Sequence, residues 1–353
     1  SCCSSTPQTP TVEGPKPEEQ IVVHRPSDPT AHPAVIEAEA ARPEVAGPGP
    51  LHLTMVVIGK VEATTARVLL EILEGGRVTC QLRCVQRDVR MKHTLLDGTS
   101  DQVKPAITKL SPNDPGYQVV ESTQMLEPGK PKIFKFSGLY PDARYEVFVK
   151  DLAHLQPSSQ FRTLLENWTI TPDKPTMKFA TVSCNLLSET LALKETQADL
   201  WAELALRAQN DELDYVLHMG DQVYADEFRS DEEIAAPASA FAPDTHAAEG
   251  AGGEKLEKVD QLVFRKALKL LDGKDRSEWP SLIPQIEELY RQLYRETWGH
   301  KPTAVLLANV PNLSIFDDHD FVDNWGQLPH GRDKDRNSPD YFVALRARQI
   351  YWE

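Results

Sequence analysis

The sequence predicts an α/β domain that follows a smaller, all-β module. Two changes of pattern along the 353 residues carry this prediction. Residues 51–165 hold short β-favouring runs at close spacing without a helical period, which is typical of a β-sandwich. From about residue 176, strand-like runs alternate with amphipathic helical runs, which indicates an α/β arrangement.

Residues 1–50 differ in composition from everything that follows them. They hold 10 of the 27 prolines, many Ala, Glu and Thr residues and almost no aromatic residues. A segment of this composition cannot bury enough apolar surface to offset the entropy lost on ordering. We therefore predict a disordered tail over residues 1–50.

The β module is predicted from five main runs with turn residues between them. These runs cover residues 51–58, 65–72, 78–85, 132–136 and 145–149. The stretch from Phe136 to Tyr145 resembles the fibronectin type III pattern, in which a Leu-x-Pro turn precedes a Tyr that opens a strand, and Phe161-Arg162-Thr163 resembles its closing strand. A generic all-β module would have the same architecture.

The α/β region, residues 176–353, is predicted from alternating strands and helices. Strands are expected at residues 177–182, 214–219 and 313–316, and helices at 195–209, 255–271 and 285–298. Residues 227–254 form an insert rich in Ala, Glu and Gly, for which we predict a loop that is an insertion rather than a lid.

Each of the three predicted strands runs into residues that can bind a metal. The clusters are Ser183-Cys184, Gly220-Asp221 with Tyr224 three residues on, and Asp317-Asp318-His319-Asp320. Ligands of open α/β sheets bind at the carboxyl ends of the strands, so parallel strands would bring these clusters to one edge. Thiolate, carboxylate and imidazole groups together predict a metal site, and two nearby cations suit displacement at phosphorus.

Each cluster also has a structural explanation when it is considered alone. A Gly-Asp pair after a strand is usually a turn, and a single Cys at a strand end is more often a core residue. An Asp-rich stretch such as residues 317–320 is more often a helix cap. Three such clusters after three strands of one domain favour the functional interpretation.

The three clusters resemble the motifs of the PhoD-like alkaline phosphatase and phosphodiesterase branch of the metallophosphoesterase superfamily. The motifs are Thr181-Val182-Ser183-Cys184, the run from His218 to Asp226, and Phe316-Asp317-Asp318-His319-Asp320 followed by Asp323-Asn324-Trp325. The resemblance implies an α/β metallophosphoesterase-like domain of layered helices and sheet, preceded by a fibronectin type III-like β-sandwich.

The resemblance also implies an activity and a set of site residues. The activity is metal-dependent hydrolysis of small phosphomonoesters or phosphodiesters by an activated water. Cys184, Asp221 and Tyr224 would hold Fe³⁺, and Asp221 would bridge to a second cation, Ca²⁺. Asp318 would be a further metal ligand, and other divalent metals are compatible. His319 would be the catalytic residue at the transition state or leaving group, and Asn324 would add to the site.

The family supplies further ligands from a later Gly-Asp-x-His motif, which has no counterpart between Asp320 and Glu353. The domain is therefore expected to be incomplete, without the family's C-terminal part. An alternative hypothesis is a catalytically inactive truncated homologue that acts as a binding module. A third is a zinc or manganese enzyme with a non-phosphate substrate.

Charge and hydropathy exclude some classes of partner. A net charge of −15 argues against a face that binds nucleic-acid backbones, although metal cations can still hold a phosphate substrate. No run approaches the roughly 18 apolar residues of a membrane-spanning helix. The five cysteines do not resemble a disulfide framework, and Cys80 and Cys84 are expected to be buried.

Overall fold

The computed structural model describes residues 21–24, 53–87, 89, 109–150, 152, 158–166, 177–187, 199–225, 263–326 and 334–353. These residues form a mixed α/β structure with three sheets and five α-helices. The strands are β1 Ile21–His24, β2 Leu53–Val61, β3 Thr65–Ile72, β4 Gly76–Gln86, β5 Val119–Leu126, β6 Lys132–Ser137, β7 Arg144–Val149, β8 Gln160–Arg162, β9 Phe179–Val182, β10 Tyr215–Met219 and β11 Asn312–Ile315. The helices are α1 Leu200–Gln209, α2 Val263–Leu271, α3 Ile283–Gly299, α4 Lys301–Asn309 and α5 Pro339–Tyr351.

The first eight strands form two antiparallel sheets around one hydrophobic core. One sheet has the order β1-β5-β4-β7-β8 and the other the order β2-β3-β6. Buried and more exposed residues alternate along β6 and β7, as period-two side-chain geometry requires. Both sheets contribute to the core, including Ile58, Leu82 and Phe134, and the burial of Cys80 and Cys84 is confirmed.

The last three strands form a parallel sheet in the order β11-β10-β9, as expected from their pattern. Helices α1 and α4 cover one face of this sheet, where Val216 packs with Ala205 and Leu306. The other face carries exposed apolar side chains, among them Met219 and Ile315. Within the part of the chain that the structure describes, helices cover one face of the parallel sheet, whereas most parallel sheets are covered on both.

A further core lies under the loops that follow β10 and β11. Helices α2, α3 and α5 contribute Phe264, Ile286 and Val343, and these pack with Val223 and Val322 from the two loops. The amphipathic helices thus support the segments that carry the candidate site.

The predicted strands and helices within the described residues are found with shifts of a few residues at their ends. Strand β5 was not predicted because its inward-facing residues include the polar Ser122 and Gln124, which break the apolar alternation. Helix α4 was not predicted either, since it has only nine residues. Residues 349–353 were interpreted as part of a helix, and helix α5 extends over most of them.

Within the predicted tail, Ile21–His24 forms β1 and pairs antiparallel with Val119–Leu126; the disordered tail stays a prediction. Backbone hydrogen bonds to an edge strand give this short apolar run an ordered partner, which composition does not reveal. The remainder of residues 1–50 and the insert at residues 227–254 lie outside the described residues. The fibronectin type III-like and metallophosphoesterase-like layouts stay predictions. Among the described helices, none combines the length and apolar character that crossing a bilayer demands.

Candidate metal centre

The three predicted clusters follow neighbouring parallel strands and lie at one edge of the sheet. Val182 is in register with His218, and Met219 is in register with Ile315. The segments after these strands contact one another: Ser183 Oγ donates to the Gly220 carbonyl at 3.4 Å. The convergence expected from parallel strands is therefore present.

Gly220 allows the loops after β10 and β11 to approach closely. Its φ is +105°, and a Cβ atom added there would lie 2.6 Å from Asp317 Cβ. That distance is shorter than real Cβ contacts, so glycine is needed at this position for both conformation and space. The next residue, Asp221, also has a positive φ of 50°, and this turn directs its carboxylate toward the other two loops.

The Asp221 carboxylate lies at the centre of the cluster, and the residue as a whole is only 7% exposed. Its Oδ2 accepts hydrogen bonds from Cys184 Sγ at 3.3 Å and from the Tyr224 hydroxyl at 3.4 Å. Its Oδ1 is buried and has no hydrogen-bond partner. A buried oxygen without a partner costs free energy, and a bound cation would remove that cost.

Asp318 and His319 approach Asp221 from the loop after β11. One ligand atom from each of these three residues lies within 4.8 Å of the other two, so the group could hold a metal ion. The backbone N–H groups of His319 and Asn324 donate to the Asp318 carboxylate at 3.1 and 2.7 Å. Asn324 thus contacts the site through its backbone, which holds the Asp318 side chain in place.

His319 is buried beside an aromatic ring and a carboxylate. Its imidazole stacks on the Tyr224 ring with a centroid distance of 4.3 Å, and its Nε2 lies 3.8 Å from Asp323 Oδ1. The backbone carbonyl of His319 accepts a hydrogen bond from the Ala225 N–H at 3.0 Å, which ties the two loops together. The ring therefore has a fixed position next to Asp221.

The surroundings of the site shift the pKa values of its acidic groups. Burial raises the pKa of the Asp221 carboxyl; the Cys184 thiol and His319 lower it, and the charges of Asp317 and Asp318 raise it. Burial also raises the pKa of the Tyr224 hydroxyl, and the neighbouring Cys184 and Asp221 raise it further. Both groups therefore resist ionisation without a positive charge nearby, and a cation would lower both pKa values.

Sequence reasoning included Asp320 in the Asp-rich cluster but gave it no role of its own; it lies between the loops and is almost fully buried. Burial raises the pKa of its carboxyl to about 7, against hydrogen bonds from the backbone of Asp317 and Val223 that lower it. Asp317 and Asp320 form a capping box around a short 3₁₀ turn over residues 318–320. The Asp-x-x-Asp spacing is the signal that could have identified this pair.

The cap interpretation and the metal interpretation of residues 317–320 are therefore compatible. Asp317 and Asp320 cap the turn, and the residues between them, Asp318 and His319, face Asp221. The donor set at this edge comprises carboxylate, phenol, imidazole and thiol groups, which suits a transition metal beside a harder cation. The residues present fit the predicted metals.

Comparison with known proteins gives only distant similarities. No family model matches the chain, and no curated protein matches it. A solved structure of PhoD is similar with a TM-score of 0.46 and 14% identity over 84% of this chain. The alignment spans 45% of the PhoD structure, so the chain covers less than half of that length.

Two β structures are similar to about a third of the chain. A redesigned β-sandwich protein has a TM-score of 0.18 and 16% identity, covering 33% of this chain and 96% of its own. The sensor domain of the anti-sigma factor RsgI4 of Pseudobacteroides cellulosolvens has a TM-score of 0.17 and 12% identity, covering 34% of this chain and 99% of its own.

Proposed function

We propose that the protein hydrolyses phosphomonoesters or phosphodiesters in a metal-dependent reaction. The observation that supports this most directly is the position of Asp221. One of its oxygens contacts the Cys184 thiol and the Tyr224 hydroxyl, and its other oxygen is buried without a partner beside a group that includes Asp318 and His319. A carboxylate in this position suits a bridge between two cations.

The ligand types suggest how two cations would be divided. Cys184 and Tyr224 offer a thiolate and a phenolate, which favour iron, and they approach Asp221 from the same side through Oδ2. Asp318 offers a hard carboxylate, which suits calcium, with Asp221 shared between the two. We therefore assign Fe³⁺ to Cys184, Asp221 and Tyr224, and Ca²⁺ to Asp221 and Asp318.

The bound cations would supply Lewis acidity toward the phosphoryl group and a water of lowered pKa. The residues of the chain have separate tasks in this proposal. His319 is buried, fixed by its contact with the Tyr224 ring and next to Asp323, so it can hold a proton for the departing oxygen. Buried residues around Asp221 exclude bulk water and strengthen electrostatic interactions within the site.

The first experiment measures turnover of chromogenic phosphomonoesters and phosphodiesters by the 353-residue chain after chelation and reloading with Fe³⁺ and Ca²⁺. We expect Asp221→Asn and His319→Gln each to lower kcat/KM by at least about 100-fold, since one removes the shared ligand and the other the proton donor. The control is Glu71→Gln, which changes a buried carboxylate in β3 outside this site.

A lack of turnover by the reloaded chain would contradict the proposed activity. Metal content then separates the inactive binding module from a metalloenzyme with another substrate. An inactive chain that holds two metals per molecule favours the latter, and a chain that holds none favours the former.

A second experiment tests the ligand set by colour. Fe³⁺ bound by phenolate and thiolate should absorb visible light, and Tyr224→Phe should shift or remove that absorption. The matched control is Tyr145→Phe, since Tyr145 is a buried phenol in the antiparallel sheets that bonds to Gln118. A colourless protein that contains stoichiometric iron would contradict the assignment of Cys184 and Tyr224.

A further inference from the structure

Asp320 lies between the two loops that carry the proposed ligands, and only 1% of it is exposed. Its Oδ1 accepts hydrogen bonds from the backbone N–H groups of Gln222 at 3.0 Å and Val223 at 3.3 Å. The Tyr294 hydroxyl from α3 donates to the same oxygen at 3.3 Å. Its Oδ2 accepts from the Asp317 N–H at 2.9 Å. One carboxylate thus joins the loop after β10, the loop after β11 and helix α3.

The hydrogen bonding of Asp320 is the opposite of that of Asp221. Both residues are buried in the same region. Each Asp320 carboxylate oxygen accepts at least one hydrogen bond, whereas Asp221 Oδ1 accepts none. Asp320 Oδ1 alone accepts three hydrogen bonds, from Gln222, Val223 and Tyr294, which leaves no acceptor site on that oxygen for a cation. Asp320 therefore belongs to the support of the site rather than to its ligands.

The residues that Asp320 connects are next to the proposed ligands on both loops. Gln222 follows Asp221 directly, and Asp317 precedes Asp318 directly. The two loops meet at the close approach of Gly220 and Asp317, where no side chain fits on the glycine. Hydrogen bonds from both loops to a single carboxylate hold that approach together, since charge-assisted bonds of this kind are strong and directional.

We propose that Asp320 is a positioning residue, which keeps Asp221 within reach of the cation that Asp318 would bind beside His319. This inference rests on the proposed metal site. It predicts that loss of the Asp320 charge weakens metal binding by more than a loss of fold stability alone would explain. Supporting groups of metal sites typically contribute a factor of about 10 to 100 in metal affinity.

The test uses Asp320→Asn in the 353-residue chain. An amide has one acceptor oxygen, so its NH₂ group must face either the Asp317 N–H or the N–H groups of Gln222 and Val223, and one loop is released in either orientation. The probe is Mn²⁺ alone, and its binding is measured by the loss of the free-ion electron paramagnetic resonance signal. Urea unfolding of the same samples gives the stability.

The matched control is Glu71→Gln. Glu71 is also a buried carboxylate, and it accepts hydrogen bonds from Arg295 of α3 and from Thr54, with no contact to the metal loops among the hydrogen bonds of the described residues. We expect Asp320→Asn to weaken Mn²⁺ binding at least tenfold and Glu71→Gln to leave it within twofold, even where both variants lose stability.

The outcomes separate this inference from the proposed function. Unchanged Mn²⁺ affinity in Asp320→Asn, or an equal loss in Glu71→Gln, overturns the positioning role even if the parent chain hydrolyses phosphoesters. A parent that binds Mn²⁺ without hydrolysing any phosphoester overturns the proposed activity, and a tenfold loss in Asp320→Asn still supports the positioning role. A parent that binds no Mn²⁺ overturns the positioning role, whereas turnover after reloading with Fe³⁺ and Ca²⁺ still decides the proposed activity.

Discussion

The two antiparallel sheets and the parallel sheet contain similar apolar residues but bury them to different extents. In the antiparallel sheets, large apolar side chains such as Phe134 are fully buried in a core that both sheets share. In the parallel sheet, Phe179 is 58% exposed, and Met219 and Ile315 lie open on the same face. The apolar residues of the antiparallel sheets stabilise the fold. The parallel sheet instead carries a polar edge, where the residues of the candidate site meet.

Backbone strain also differs between the antiparallel sheets and the loops of the parallel sheet. Among the described residues, five non-glycine residues have a positive φ, and three of them, Cys184, Asp221 and Asn324, lie in the loops after the parallel strands. Such conformations cost of order 1–3 kcal/mol each and persist where the surrounding structure enforces them. Strain concentrated beside a buried carboxylate with a free oxygen is a feature of binding sites rather than of scaffolds.

The antiparallel region also positions the parallel sheet. The Tyr215 hydroxyl of β10 bonds to the backbone of Val61 in β2, and Asn312 Nδ2 of β11 donates to the Ile58 carbonyl at 3.1 Å. Arg295 of α3 pairs with the buried Glu71 of β3. The stable region thus anchors the amino ends of two parallel strands, while their carboxyl ends carry the candidate site.

The largest expected effect is on the core of the antiparallel sheets. Phe134→Ala should lower the free energy of unfolding by about 3–5 kcal/mol, since it removes a fully buried ring and leaves a cavity. Phe179→Ala, the same change on the exposed face, should cost less than about 1 kcal/mol. Urea denaturation of both variants measures the difference, and similar losses would contradict the division between the regions.

A smaller effect is expected where the two site loops meet. Gly220→Ala should cost about 1–3 kcal/mol from backbone strain, and the added Cβ should also displace Asp317 and weaken metal binding. Gly273→Ala is the control, because Gly273 has a φ of +68° but no atom within 4 Å of the added Cβ. If both variants lose the same stability and bind metal as the parent does, the close approach has no role in the site.

The sequence predicted the parallel strands and the meeting of their loops because each strand is a short, largely apolar run that is followed by Gly or polar residues. Cys184, Asp221 and His319 could be found in this way, since local pattern specifies where each strand ends. Their roles as ligands or catalyst stay predictions.

Other features depend on contacts between distant segments, which local pattern does not specify. The role of Asp320 depends on amides about 98 residues earlier in the chain. Strand β1 depends on pairing with Val119–Leu126, and β5 carries inward-facing polar residues that hide its period. Contacts between distant segments decided each of these cases.

A pH-dependent effect is expected on the covered face of the parallel sheet. His218 is buried, and its Nε2 lies 2.9 Å from Asn312 Oδ1. Burial lowers the pKa of His218, although the hydrogen bond to Asn312 raises it. The unfolded chain therefore takes up a proton near pH 6.5 while the folded chain does not, so stability is complete above that pH and declines as the pH falls toward the folded pKa.

The decline due to His218 should reach at most about 1.4 kcal/mol at pH 5.5. Urea denaturation between pH 7.5 and 5.5 should show this loss in the parent and a smaller one in His218→Gln, which removes the titrating group. An identical pH dependence in both proteins would mean that His218 is not held neutral by the sheet and its covering helices.

The smallest effect is expected on the exposed face of the same strand. Met219→Gln should change the free energy of unfolding by less than about 0.5 kcal/mol, because the Met219 side chain is already half exposed to water. Val216→Thr places a hydroxyl on the opposite face, where Val216 is fully buried between the sheet and its helices, and should cost about 1–3 kcal/mol. If Met219→Gln were as costly as Val216→Thr, the face that carries Met219 would be covered in solution, and the contrast with the antiparallel core would disappear.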